Sequence, residues 1–190
     1  MDVIESVRAA VLGHFAASSA DSASVTFLGL EPIEILRIPD GEFVHYVTLG
    51  GARHPMTDPG AAVVDPERGP RAELVLTLRG GDAHTGLTRA LGVLIASPAV
   101  EGVVLQPDAL LDLGEPLWHN APFTAVLLGP GDIPDLTLPD PAEPVRFLAV
   151  SPITATEAAW VRLRGAPALR EAWTEAGIDV RDPGRGAANL

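Results

Sequence analysis

The chain has 190 residues, 47% hydrophobic and 20% charged, which excludes a disordered chain and gives length enough to bury one sizeable core. Its 13 basic residues are all arginine, and 25 acids bring the net charge to −12, which speaks against a nucleic-acid partner because phosphate recognition needs a basic stripe. Without cysteine or lysine, disulfides, thiolate metal sites and Schiff-base chemistry are excluded.

Ile4, Val7, Val11, Leu12 and Phe15 recur at helical spacing and predict an opening amphipathic helix, ended by residues 18–24. Residues 25–30 and 33–38 are two short runs rich in β-branched side chains, split by Glu31-Pro32, and predict two strands. Pro39-Asp40-Gly41 is a turn by its residue chemistry.

Over residues 43–49 the side chains alternate, with Phe43, His45, Val47 and Leu49 on one face and Val44, Tyr46 and Thr48 on the other. Both faces are largely apolar, as in a central strand. Gly50-Gly51 breaks it, and a Pro-, Gly- and acid-rich loop follows through Pro70, of a length that is usually functional or mobile. Leu74, Leu76 and Leu78 alternate with Glu73, Val75, Thr77 and Arg79 in a further strand.

Leu87, Leu91, Leu94 and Ile95 predict a helix ending before Pro98, with Thr85 or Asp82 as N-cap, while residues 103–113 are ambiguous. Two buried strands, 123–128 and 145–150, flank a connection with five prolines and four acids over residues 130–144, which suits neither helix nor central strand. Thr154-Ala155-Thr156-Glu157 has capping-box spacing and opens a helix through Trp160 and Leu163. Gly165-Ala166-Pro167 resets it into a last helix that carries Leu169 and Trp173 inward and stops at Gly177.

Together these elements predict an α+β fold: one domain over residues 1–177, with a central mixed β-sheet covered by amphipathic helices, then a frayed tail over 178–190. The start Met1-Asp2-Val3-Ile4-Glu5 carries acids where a secretory leader carries bases, and no apolar run reaches the roughly 20 residues that span a bilayer. The expectation is a cytoplasmic domain with no membrane contact.

Phosphate-loop, dinucleotide, nucleophile-elbow and His-Glu-x-x-His motifs are all missing. An enzyme would have to pair a histidine with a carboxylate: His45 or His54 as base in a hydrolase or lyase, with Glu73 or Asp58 as orienting acid. His45 otherwise reads as a hydrogen-bonded interior residue. His54 lies in a loop, where recognition concentrates, or is a solvated loop histidine. Trp118 and His119 form an amphipathic pair, either an interface anchor or a plug for the core. Asp108, Asp112 and Glu115 lack calcium-loop spacing and read as a solvated edge, so no metal or cofactor is expected. A self-assembling structural subunit is a third possibility. Acids are unevenly placed, with eight and no base over residues 90–145, so a partner steered by charge would be a basic protein.

Tyr46-Val47-Thr48-Leu49-Gly50, then Pro55-Met56, then Arg71-Ala72-Glu73-Leu74-Val75-Leu76, and finally Val145-Arg146-Phe147-Leu148-Ala149-Val150-Ser151-Pro152-Ile153-Thr154 with Glu157 behind, occur in an order that resembles the suppressor-of-fused domain family. The likeness runs from about residue 20 to 177. The family pattern often has a bulkier residue and a serine after the strand glycine, where this chain has Gly51-Ala52-Arg53. The resemblance implies an α and β fold, no cofactor and a non-enzymatic, protein-binding role. In animals the family restrains a transcription factor. In bacteria, which the all-arginine, alanine-rich composition suggests, stand-alone members look like immunity proteins against toxins. Partner contacts are expected at the matching positions Tyr46, Thr48, Gly50 and Met56, and, from their own surroundings, at His54, Trp118 and His119.

Overall fold

The computed structural model describes residues 2–190. It contains helices α1 (Val3–His14), α2 (Leu87–Glu101), α3 (Ala155–Arg164) and α4 (Ala166–Ala176). Strands β1 (Asp21–Val25), β2 (Ile33–Asp40), β3 (Phe43–Leu49), β4 (Arg71–Arg79), β5 (Leu110–Asp112), β6 (Phe123–Pro130) and β7 (Val145–Thr154) form one sheet in the order β1-β2-β3-β4-β7-β6-β5. Only β4 and β7 pair in parallel, so the sheet is mixed.

Alternation decides which layer each strand residue joins. Val44 and Tyr46 of β3, Leu74, Leu76 and Leu78 of β4, and Leu148 and Val150 of β7 lie under α2. Val47 and Leu49 of β3 with Val145 and Phe147 of β7 meet Ile4, Val7 and Val11 of α1 on the opposite face. Further along that opposite face, Ala125, Leu127 and Ile153 meet α3 and α4 through Ala158, Leu169 and Trp173. The sheet is therefore covered on both sides, which is why its central strands are apolar on both faces.

Several elements depart from the sequence expectation for visible reasons. Residues 26–30 leave the sheet, and the strand is instead the polar β1, mostly exposed and held by backbone pairing to β2, with Ala23 opposite Ile35. An edge strand secured by its ladder leaves no apolar pattern to read. Helix α2 begins after Gly86 rather than a Thr85 or Asp82 cap and runs through Pro98 to a left-handed Gly102. Pro98 has no N–H for the Leu94 carbonyl, and the Ser97 hydroxyl donates to that carbonyl at 2.7 Å instead. The capping box forms as expected, with Thr154 Oγ1 accepting from Glu157 N and Glu157 Oε2 accepting from Thr154 N.

The tail is not frayed. Arg185 and Ala188 are buried, and Arg185 donates to Glu157 Oε1 at 2.8 Å, Glu157 Oε2 at 3.0 Å and the Pro152 carbonyl at 2.8 Å. Its guanidinium lies 5.0 Å from the Phe123 ring centre and 5.5 Å from that of Trp173. A partner 28 residues away in sequence supplies what local pattern does not show.

Candidate partner-binding cleft

Strand β3 ends at Gly50, whose φ of 149° is open to glycine, and the chain enters a 3-10 turn, Gly51–Arg53. Two side chains of β4 hold this turn. Glu73, wholly buried, accepts from Gly50 N at 2.8 Å and Ala52 N at 2.9 Å on Oε1, and from Thr48 Oγ1 at 2.6 Å on Oε2. Arg71, also buried, donates to the carbonyls of Ala52 at 2.8 Å and Arg53 at 3.0 Å, and to the Glu67 carbonyl at 3.2 Å. A carboxyl acceptor meets the amide end of the turn and a guanidinium donor its carbonyl end, so the groups that so short a turn leaves unpaired find partners. Burial pushes the Glu73 carboxyl up to about 7, against the opposing pull of its hydrogen bonds.

The turn joins the two layers. Ala52 packs with α1, while Gly51 abuts α2 so closely that a Cβ there would lie 2.6 Å from Ile95 Cγ1 and 2.7 Å from the Ala72 carbonyl oxygen. Between the turn, the β1–β2 connection and the carboxyl end of α2 lies a cleft of about 500 Å³. Leu30, Ile33, Met56, Ala72, Ile95 and Leu105 give it an apolar floor, and Glu31, Arg53 and His54 stand at its mouth. Met56 N donates to the Pro70 carbonyl at 2.8 Å, closing the neck of the 57–70 loop, and Met56 Sδ accepts from Leu105 N at 3.2 Å.

Of the expected contact residues, Gly50, His54 and Met56 come together in this cleft. His54 is exposed, with Nε2 2.8 Å from Glu31 Oε2. Tyr46 and Thr48 are buried, so direct contact gives way to supporting roles, Tyr46 under α2 and Thr48 on Glu73. Trp118 is likewise interior, its ring 4.9 Å from His84 and 5.6 Å from Phe123, and is a core plug rather than an anchor. His119 is exposed and its N–H donates to the Thr85 carbonyl at 2.8 Å, at the amino end of α2. The cleft is at the other end of that helix, on the order of 15 Å away by helical rise.

The histidine-carboxylate pairs of the enzymatic rival do not form. His45 has Nδ1 2.8 Å from Thr77 Oγ1 and Nε2 3.3 Å from Asp40 Oδ2, and its ring stacks on Phe15. It stands opposite Thr77, four residues along β4 from Glu73, roughly 13 Å by strand rise. Asp58 accepts from Gly60 N in its own loop and His54 meets Glu31 instead. Asp108, Asp112 and Glu115 pair with Arg170, Arg162 and Arg89 respectively, and among the described residues no three His or acidic side chains are placed to hold a metal. No helix of the described residues is long and apolar enough to cross a membrane.

Sequence reasoning missed the part played by Arg71. The available signal was an arginine and a glutamate two residues apart on a strand otherwise buried on both faces, a pattern that demands partners on one side.

The family model for suppressor of fused protein (SUFU) matches residues 29–186. No curated protein sequence matches the chain. Among solved structures, a SUFU homologue from Neisseria gonorrhoeae is similar over 100% of this chain and 98% of its own, with a TM-score of 0.74 at 19% identity. A chain of the Sufu-Fu complex crystal structure is similar over 97% of this chain and 91% of its own, at TM-score 0.67 and 13% identity. Drosophila Suppressor of Fused is similar over 98% of this chain but only 50% of its own, at TM-score 0.64 and 14% identity. At such identities these structures establish the fold alone.

Proposed function

The chain belongs to the suppressor of fused protein family, and from that premise we propose that it is a non-enzymatic protein-binding domain that docks its partner at the cleft beside the Gly51–Arg53 turn. The observation that carries the reading is the set of exposed hydrophobics around that cleft. Leu28 is 105% exposed and precedes the lining residues Gly29 and Leu30. Val100 is 67% exposed and follows the lining residue Ala99. Single exposed apolar side chains are ordinary; two that adjoin the lining of one apolar concavity point to an interaction surface. A shared fold with a protein solved in a complex with Fu supports the protein-binding role, though not the place of docking.

A finer reading follows from charge. Asp132, Asp135, Asp140 and Glu143 on the β6–β7 connection are exposed and form no ion pair among the described residues. With a net charge of −12, the chain would steer a basic partner, and a toxin-neutralising immunity protein acting in the cytoplasm on a basic toxin domain fits that balance. Capture with wild-type and Leu28→Asp baits tests the docking site, since Leu28 is free of packing and its replacement leaves the fold intact. A partner held by the first bait and lost from the second is expected; equal capture by both would remove the cleft from the interface. Co-expression with a toxin encoded beside the gene tests the finer reading by growth rescue, and unrelieved toxicity would end it.

A further inference from the structure

We infer that the segment bound in the cleft carries an apolar side chain flanked by arginine or lysine, the apolar group seated on the floor and the cation at the carboxyl end of α2. This rests on the protein-binding reading and adds the chemistry of the partner.

The floor, built from Ile33, Met56, Ala72, Ile95 and Leu105, offers no charged group to an incoming side chain, so its occupant is apolar. The wall supplies the charge preference. Pro98 and Ala99 of the last α2 turns line the cleft, which puts the negative end of the helix dipole at its edge. Helix ends of this kind usually hold a basic side chain in the last turn, and α2 has none. It has an acid instead: Glu101, exposed and three residues beyond Pro98 on the same helical face.

Across the mouth, the one arginine already has an acidic partner. Arg53 Nε lies 3.8 Å from the Glu31 carboxylate and Arg53 Nη1 donates to the Pro32 carbonyl at 3.2 Å, so its charge is already balanced by Glu31, which also lies 2.8 Å from His54 Nε2. Asp58, exposed beside the lining residue Thr57, adds a further negative charge. An acidic segment would meet the helix end, Glu101 and Asp58 together. A neutral apolar segment would cover the helix end and leave it uncompensated. A cation beside the apolar anchor satisfies both surfaces at once.

The probes are three capped peptides titrated into the full, isotopically labelled chain and followed by amide resonances: Ac-Gly-Arg-Leu-Arg-Gly-NH2, Ac-Gly-Glu-Leu-Glu-Gly-NH2 and Ac-Gly-Arg-Ser-Arg-Gly-NH2. The arginine-leucine peptide is expected to move Met56, Ile95 and Leu105, with the other two at least about tenfold weaker. Glu101→Arg is expected to weaken that peptide several-fold with an unchanged melting temperature. Equal or tighter binding of the glutamate-leucine peptide in the cleft would overturn the inference, as would shifts confined to the acidic β6–β7 connection. Silence of the cleft toward all three peptides also overturns it, while the protein-binding reading stands or falls separately on capture by the wild-type bait.

Discussion

Arg71 and Glu73, two residues apart on β4, grip opposite ends of one short turn, the arginine taking the carbonyls of Ala52 and Arg53 and the glutamate the amides of Gly50 and Ala52. Neither side chain is exposed, yet together they fix a wall of the cleft. The turn has little else to define it, since its three residues make only one turn of hydrogen bonding of their own.

Glu73→Ala leaves Gly50 N, Ala52 N and the Thr48 hydroxyl without their shared acceptor in a dry interior. At about 1–3 kcal/mol for a buried group left unsatisfied, a loss of roughly 3 kcal/mol is expected in denaturant unfolding. A loss under about 0.5 kcal/mol would show that the turn is held by other means.

The same carboxyl sets a pH dependence of uncommon sign. Its folded-state pKa, about 7, lies above the ordinary carboxylate value, so between the two the native state holds a proton that the unfolded chain has released. The contribution of Glu73 to stability is therefore full below the ordinary value and falls as pH rises through about 7, by on the order of 3 kcal/mol in all. Burial depresses His45 and His84, which act in the opposite sense just below neutrality, so the comparison must be with Glu73→Gln. The variant should gain on the wild type in unfolding midpoint from about pH 5 to about pH 7 and level off above it; a constant gap across that range would refute the assignment.

Gly51→Ala tests how tightly the turn abuts α2. The new Cβ meets a flexible Ile95 side chain and a fixed Ala72 carbonyl, so relief is partial at best. A destabilisation of about 1–3 kcal/mol is expected, and Ile95→Val in the same chain should recover only part of it. Full recovery would place the whole clash on Ile95.

Much of this architecture was legible in the chain. The alternation through β3 and β4, the Thr154–Glu157 box and the Gly177 stop are local signals, and each became the element expected. What escaped is what depends on distant partners. Strand β1 exists because β2 offers it a ladder, and α2 survives Pro98 because Ser97 replaces the missing donor. At the cleft, Gly50 and Met56 were legible from motif order and His54 from its place in a loop, whereas Ile95 and Leu105 arrive from far along the chain. Tyr46, Thr48 and Trp118 were misread as contacts because a motif marks the structure that a site needs as readily as the site itself.

Arg185→Ala probes the tail. Glu157 accepts from Thr154 N, Ala188 N, Trp173 Nε1 and Arg185; burial pushes its carboxyl up, but these bonds outweigh it and hold it below the usual range. Removing the arginine leaves that charge buried without its counter-ion, at about 3–5 kcal/mol. The expected result is a lowered unfolding midpoint together with early proteolytic cleavage after residue 181, since Ala188 alone then remains buried to hold the segment. A stable but clipped variant would separate the anchoring of the tail from the stability of the domain.

The unpaired acids of the β6–β7 connection bear on rate rather than on affinity at close range. Asp108, Asp112 and Glu115 are each met by an arginine, so the free negative surface of the middle segment reduces to Asp132, Asp135, Asp140 and Glu143 with Glu101. Such charges act over roughly 10 Å at 0.1 M salt and are screened beyond it. Replacing the four connection acids by their amides should lower the association rate for a basic partner by about tenfold at low salt, leave the dissociation rate unchanged, and make no difference near 1 M salt. Their exposure means that the substitutions cost little stability. Stopped-flow or surface-based kinetics across a salt series checks this, and a change confined to dissociation would move these residues from the steering surface into the interface itself.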